Sequence, residues 1–576
     1  MNKRKLFAGM ASVAMAATLV GCSSGSGSSA TDTFTVGVTS EMAGVFSPLY
    51  YQTNEDHNVI NLVYQSLLKY DAKNELHPEL ATDMPEVSED GKTLTFHLKK
   101  GVKFSDGTDL TSSDVKYTFT VMADPSYTGR MSNTVEDLEG YKEYSQGDAK
   151  ELTGVETPDE HTVVFHLANP RIDAVSNFGA MAICSDEQFE YTKGNTEEIE
   201  QSTDQPIGSG PYVLKTYDKA TGASLTKNEK FTGEGEYAVK NIIIKKTDLS
   251  TEYDELKSGN VDLIPEVIEP SKVSQARTND EITFNHYPRA GVGYVAFNCQ
   301  NGATSDQAVR QALAYATDRA GFNDSYYGYD DKASDKVKDI KLGYQPQAYW
   351  NPASKNLGAY VRGEEKIDGL TEYNFDVEKA KSVLDAAGWT VGSDGVREKD
   401  GQKLELKFVA TKDNSVLETL IPLMSKAYKE IGVDLKTTEV DFNTLVDMLT
   451  NDDQSKEWNA FFMATGYNGV EDTDSLLNFG YTVDADGNKV PTADNYPRLI
   501  DDELNSLLQS AYRTGDVEAS KQDYLKAMQR SAELVSYLPI YGNEYFDLYN
   551  KRVEGLETGP VQAWSQAMEG VTLKAE

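Results

Sequence analysis

The feature that most constrains the fold is a change of periodicity that repeats between residues 376 and 439. Asp376 sits where an N-cap belongs, Val377 to Ala387 keeps helical spacing, and Gly388 ends it. Leu404 to Ala410 then reads as a strand, Ser415 to Ile431 as a helix stopped by Gly432, and Val433 to Glu439 as a strand. Helix and strand in alternation indicate an α/β lobe. The same grammar recurs upstream. Asn241 to Lys246 reads as a strand, Thr251 to Ser258 as a helix ended by Gly259, and Val261 to Ile264 as a short buried strand. Gly293 to Asn298 is a strand, followed by a helix from Asp306 to Asp318 with Val309, Leu313 and Ala316 inward. A long stretch from about Gly321 to Glu372, dense in Tyr and Asp, reads as irregular. A last helix spans Ser520 to Val535, and Leu538 to Tyr541 has strand character.

The first third of the chain differs. After a strand at Thr33 to Val38, a polar and aromatic loop from Phe46 to Asp56 leads to a helix from about His57 to Leu68. Thr93 to Leu98 and Thr162 to Leu167 both alternate branched or aromatic residues with smaller ones, as strands of one small sheet do. Between them Asp106-Gly107 signals a tight turn, and Thr111 with Asp114 resembles a capping box. The loop Pro206 to Tyr212 carries two glycines, but a strand follows it and no Gly-Lys-Ser/Thr ends it. It is not a phosphate loop.

The amino-terminal segment reads as an export signal. Lys3, Arg4 and Lys5 precede an apolar run from Leu6 to Val20, too short for a bilayer span. Leu19-Val20-Gly21-Cys22 resembles the lipobox of bacterial lipoproteins, which implies acylation of the Cys22 thiol. The Gly/Ser run to Ser29 is a flexible tether, and no other segment is apolar enough to span a membrane. Net charge is −37 for the whole chain, and the leader contains only basic charges. Nucleic acid is excluded as a partner by that charge. A mature chain of about 550 residues is too long for one core and implies two or three domains. Cys184 and Cys299 stand far apart with no CxxC spacing, so free buried thiols are expected. Six histidines show no HExxH spacing, and no GxSxG stands on a strand-to-helix elbow, so no enzyme, metal or cofactor is expected.

Several segments, in order, resemble the family 5 extracellular solute-binding proteins, which include oligopeptide- and dipeptide-binding proteins. Leu94 to Val115 (LTFHLKKGVKFSDGTDLTSSDV) is similar to the family signature almost throughout. Ile207 to Tyr212 resembles the family's Gly-Thr-Gly-Pro-Tyr turn. Tyr294 to Asn298, Val309 to Leu313, Ala380 to Trp389 and Leu538 to Tyr541 also fit. The resemblance implies an α/β fold of the two-lobed periplasmic-binding-protein type (type II, large cluster). Crossing segments join the lobes, and an extra β-rich subdomain sits on the first. The expected division is a lipoprotein signal peptide over 1–21 and a tether over 22–31. Lobe I takes 32–75, 203–283 and 530–576, its extra subdomain 76–202, and lobe II 284–529. The implied function is capture of a small ligand, foremost a peptide, for an ABC permease and its ATPase. The protein is expected to be a monomer, held at the outer face of a bacterial cell membrane by its lipid alone. An oligosaccharide or a metal chelate is the alternative ligand, a sensory receptor the alternative role, and a secreted hydrolase the alternative class.

Four regions are candidate ligand contacts. Tyr50, Tyr51, Thr53 and Asn54 match a family cleft loop. Tyr294 and Asn298 lie on the strand entering the second lobe, where core packing and turn capping compete with a binding role. In Gly466 to Asp472, many peptide-binding relatives carry Gly-Trp and an aspartate for the peptide amine. Here Tyr467 replaces the Trp and Val470 the aspartate, which leaves Asn468, Glu471 and Asp472 as polar candidates. Lys412 lies near an arginine that some dipeptide-binding relatives use for the ligand carboxylate. It supplies the charge without the fork.

Overall fold

The computed structural model describes residues 32–201, 204–328, 342–412, 414–467, 469, 473–484, 486–492 and 494–575, with the side chain of 452 left aside. The leader, the tether, Cys22, Asn468, Glu471 and Asp472 lie outside the described residues.

One 11-stranded sheet runs through the molecule. At one end the strands Thr33–Val38, Asn241–Lys246 and Leu263–Val267 pair in parallel. At the other, Glu405–Thr411 pairs in parallel with Asp434–Val440 and Ala460–Gly466. Two long antiparallel strands, Ile282–Phe297 and Tyr537–Asn550, join these ends, pairing from Ile282 opposite Asn550 to Ala296 opposite Tyr537 with register shifts between Pro288 and Val292 and between Gly293 and Tyr294. Parallel pairing needs helical crossovers, and these cover the faces. The helices Gln307–Tyr315, Val377–Ala386 and Ser415–Glu430 share a core with Val295 and Phe297, whereas Tyr294 and Ala296 point into a core with Asp502–Tyr512 and Val517–Leu534. The fold is thus two α/β lobes on shared crossing strands. The boundaries expected at 283/284 and 529/530 fall inside a strand and a helix.

Local chemistry sets the helix ends. Asp376 Oδ1 accepts from Lys379 N–H at 2.8 Å, as a cap should. The capping box at Thr111 and Asp114 is present, with Thr111 N–H donating to Asp114 at 2.7 Å. The stretch expected to be irregular contains a helix, Arg319–Tyr326, capped by Asp318. Thr93–His97 and Thr162–His166 are neighbours in a four-stranded sheet of their own. Its core gathers apolar residues from Leu49 to Ile199 and forms the β-rich subdomain. The glycine loop ties that region to the first-lobe core, to which Val63 belongs. Gly210 N–H donates to the Val63 carbonyl at 2.7 Å, and a Cβ at Gly208 would sit 2.1 Å from the same oxygen. Ser105 N–H donates to Gly208 O at 2.9 Å, so the loop also holds the Asp106-Gly107 turn in place. Cys184 and Cys299 are free and half-buried, and burial pushes the Cys184 thiol up to about 12.

Candidate functional site

A cleft of about 820 Å³ opens beside the crossing strands. One wall comes from the first lobe, the subdomain and the carboxy-terminal segment around Trp564. The other comes from Gly466, Tyr467 and Gly469 at the end of the strand Ala460–Gly466. Its floor is where the long strands lose register. Three residues, 289 to 291, stand between Pro288 and Val292, opposite Asn543 alone. Such a bulge bends the strand and re-aims side chains. Arg289 and Ala290 line the cleft, and Tyr467 N–H donates to the Ala290 carbonyl at 2.8 Å, tying the second-lobe wall to the floor. Glycine is needed beside this junction: a Cβ at Gly291 would meet the Thr465 carbonyl at 2.5 Å.

The floor carries charge of both signs. Asp547 is fully buried, takes Glu266 N–H at 2.8 Å and the Tyr287 hydroxyl at 3.3 Å, and has its carboxyl raised by burial. Glu266 holds a left-handed backbone (φ 55°), a conformation that costs a non-glycine residue about 1 kcal/mol or more and clusters at ligand sites. Its side chain is open to the cleft's water, yet protein surrounds that water. Crowding first, then Asp547 and Glu55, raise its carboxyl to about 7. The same water screens the charge and reduces what the rise is worth in stability. Glu55 is likewise raised by burial. On the facing side Tyr51 stacks on His57 with centroids 4.6 Å apart, and the Arg130 guanidinium sits 4.3 Å from the Tyr51 ring centre. Burial, then Arg130, push His57 down to about 4, so it is neutral at pH 7.

The structure brings Tyr51, Asn54 and Tyr467 together on this cleft and places Tyr50, Thr53, Tyr294, Asn298 and Lys412 outside its lining; Asn468, Glu471 and Asp472 lie outside the described residues. Tyr50 is buried in the subdomain core, its ring 5.2 Å from Tyr127. Thr53 accepts from Asp56 N–H at 3.1 Å and serves as the cap of the helix Asn54–Val63, which starts earlier than its apolar periodicity indicates. Tyr294 is sealed among Tyr349, Tyr537 and Phe461, at centroid distances of 4.8, 5.2 and 6.1 Å. Asn298 donates to Ser455 O at 2.8 Å and accepts from Gln300 and Asn301 N–H, so it caps a turn. Lys412 is exposed outside the cleft lining, its N–H on the Val440 carbonyl at 3.0 Å. Core packing and capping therefore account for Tyr294 and Asn298. The cleft residues missing from the sequence reading are Arg130, Glu266, Arg289, Tyr545, Asp547 and Trp564. The available signal was charge inside aromatic or apolar runs, as at Tyr545-Phe546-Asp547-Leu548.

Away from the floor, the subdomain touches the second lobe directly. Arg513 Nη1 meets Asp137 Oδ1 at 2.5 Å, Ile172 N–H donates to Tyr512 O at 3.0 Å, and Arg171 pairs with Asp173 beside them. Asp71, Glu75 and His77 converge on an exposed hairpin, where Asp71 Oδ1 is engaged by the N–H groups of Lys73 and Glu75. Among the described residues no helix is long and apolar enough to cross a membrane.

Two α/β lobes, crossing strands and a charged cleft between them define a two-lobed binding protein. Residues 75–488 match the family described as bacterial extracellular solute-binding proteins, family 5 Middle, and the chain belongs to that family. It is 24% identical over 519 residues to the oligopeptide-binding protein AppA of Bacillus subtilis, covering 90% of this chain and 87% of AppA. The fold superposes on the ABC transporter substrate-binding protein CtaP of Listeria monocytogenes with a TM-score of 0.75 at 20% identity, covering 94% and 99% of the two chains. It superposes on NikA of Brucella suis in complex with Fe(III)-EDTA with a TM-score of 0.74 at 21% identity, covering 94% and 100%. The family's members are substrate-binding proteins, not enzymes.

Proposed function

We propose that this protein captures a peptide between its lobes and delivers it to an ABC permease. The observation that carries the reading is the cleft, which gathers the carboxyls of Glu266, Asp547 and Glu55 and the guanidinium of Arg289 in its lining. A peptide carries an ammonium, a carboxylate and a backbone of amide donors and acceptors, so it has a partner for each group there. A neutral sugar would leave these charges unpaired once water is excluded, at a cost in affinity. The tyrosines Tyr51, Tyr467 and Tyr545 add flat apolar faces with polar tips, which suit varied side chains. Closure of two lobes on a hinge encloses cargo and creates a shape that a permease can read. In this reading the hinge is the bulge, with Gly291 at its end and Gly542 on the facing strand. Val470 stands where peptide-binding relatives carry the amine-binding aspartate, so a shifted loop would be needed for Asp472 or Glu471 to take that role. The protein works as a monomer at the outer face of the cell membrane, tethered through acylated Cys22.

NikA with its bound Fe(III)-EDTA supports a metal chelate as the second reading. Mass spectrometry of small molecules released on denaturing the purified protein separates the two. A ladder of peptides is expected, and a recurrent metal complex or sugar would overturn the peptide reading.

A further inference from the structure

Two arginines line the cleft, Arg130 over the Tyr51 ring and Arg289 on the floor, and Arg289 differs from the arginines outside it. Arg171 pairs with Asp173, Arg397 with Asp385, Arg530 with Asp501 and Arg552 with Asp262. Arg310 and Arg319 instead give their guanidinium hydrogens to backbone carbonyls. Arg289 does neither. Among the described residues its side-chain hydrogen bond runs from Nε to the Tyr545 hydroxyl at 3.1 Å, and no carboxylate lies within ion-pair distance. Phenols of Tyr545, Tyr541 and Tyr327 surround it, and Glu266 feels its charge only from farther away. A half-buried guanidinium without a carboxylate is costly to keep unless something else supplies the anion.

The backbone is built to present it. The register break at residues 289 to 291 interrupts pairing with the strand Tyr537–Asn550, while Gly291 pairs with Gly466 on the other side; it turns Arg289 into the cleft and is fixed there by the Tyr467 to Ala290 hydrogen bond. With Nε on Tyr545 and the Tyr541 phenol close by, the guanidinium is held in place with its fork toward the cleft, and a fork matches a planar, two-oxygen acceptor as an ammonium does not. We propose that Arg289 is a ligand-binding residue that receives the terminal carboxylate of the bound peptide. This assignment rests on the peptide reading above. It also explains why Lys412, exposed outside the cleft, is not needed for that task.

Calorimetric titration with two random libraries of short peptides tests it, one with free carboxyl ends and one amidated. The wild type should bind the free-acid library at least about tenfold more tightly. Arg289→Gln should remove that preference by weakening the acid library alone. Arg289→Lys, which keeps the charge and guards against a folding artefact, should restore only part of it. Equal binding of both libraries by the wild type, or an equal loss with both in Arg289→Gln, would overturn the carboxylate role while leaving the peptide reading intact. Binding of neither library by the wild type would overturn both.

Discussion

The two long strands are one structure with two different ends. Toward the second lobe, Val292 to Phe297 and Tyr537 to Tyr541 are buried on both faces, and Tyr349 stacks on Tyr537 at 4.1 Å. Toward the cleft, Asn285 to Gly291 and Asn543 to Asp547 carry charges, a bulge and a glycine, and Arg289, Tyr545 and Asp547 line the cavity. The same backbone pairing thus supports a rigid aromatic anchor and, a few residues away, a polar floor that a ligand must complete. Rigidity at one end holds the binding groups of the other in place.

The largest effect should come from the anchor. Tyr294→Ala empties a packed aromatic site and should cost about 3–5 kcal/mol of stability, seen as a lower thermal midpoint. Peptide affinity measured well below that midpoint should stay close to wild type. A binding loss larger than the stability loss would erase the distinction between the two ends.

The floor should answer to pH. Glu266 has its folded carboxyl raised to about 7, above its unfolded value, so the folded state holds its proton longer. Its contribution to stability is therefore lost as pH rises from about 4.3 to 7. Glu266→Gln should gain on wild type across that interval, by on the order of 1 kcal/mol because cleft water screens the charge. Thermal unfolding of both proteins from pH 5 to 8 reads the difference, and a constant gap would show that Glu266 is not perturbed. The smallest effect should be at the rim. Arg513→Ala removes a partly exposed pair with Asp137 and should cost about 1 kcal/mol or less, with faster ligand release as its main sign in stopped-flow.

Much of the fold was legible because local rules were obeyed. The caps at Asp376 and Thr111, the Gly388 and Gly432 stops, and the paired strands at Thr93 and Thr162 all stand where periodicity and capping chemistry place them. The helix Arg319–Tyr326 was hidden because Gly321, Asn323 and Asp324 have low helix propensity, and packing of Phe322 against Tyr541 overrides it. The cleft halves of the long strands were hidden for a related reason. Pro288, Gly291 and Gly542 read as breakers, yet pairing with Glu544, Gly466 and Val292 respectively holds these segments extended. The site was legible only in part. Tyr294 and Tyr51 look alike in sequence, but both faces of the central sheet are covered, so alternation there does not separate core from cleft. Glu266, Arg289 and Asp547 come from three distant segments, and only the strand crossing brings them together.

A crystal structure of the protein grown with the molecule that copurifies with it would be the most direct test. The expected result is an extended peptide between the lobes, against Tyr467, Tyr545 and Arg289 at the bulge. Density elsewhere, or a molecule that leaves Arg289 and Glu266 facing only water, would contradict the division of the crossing strands into an anchor and a binding floor.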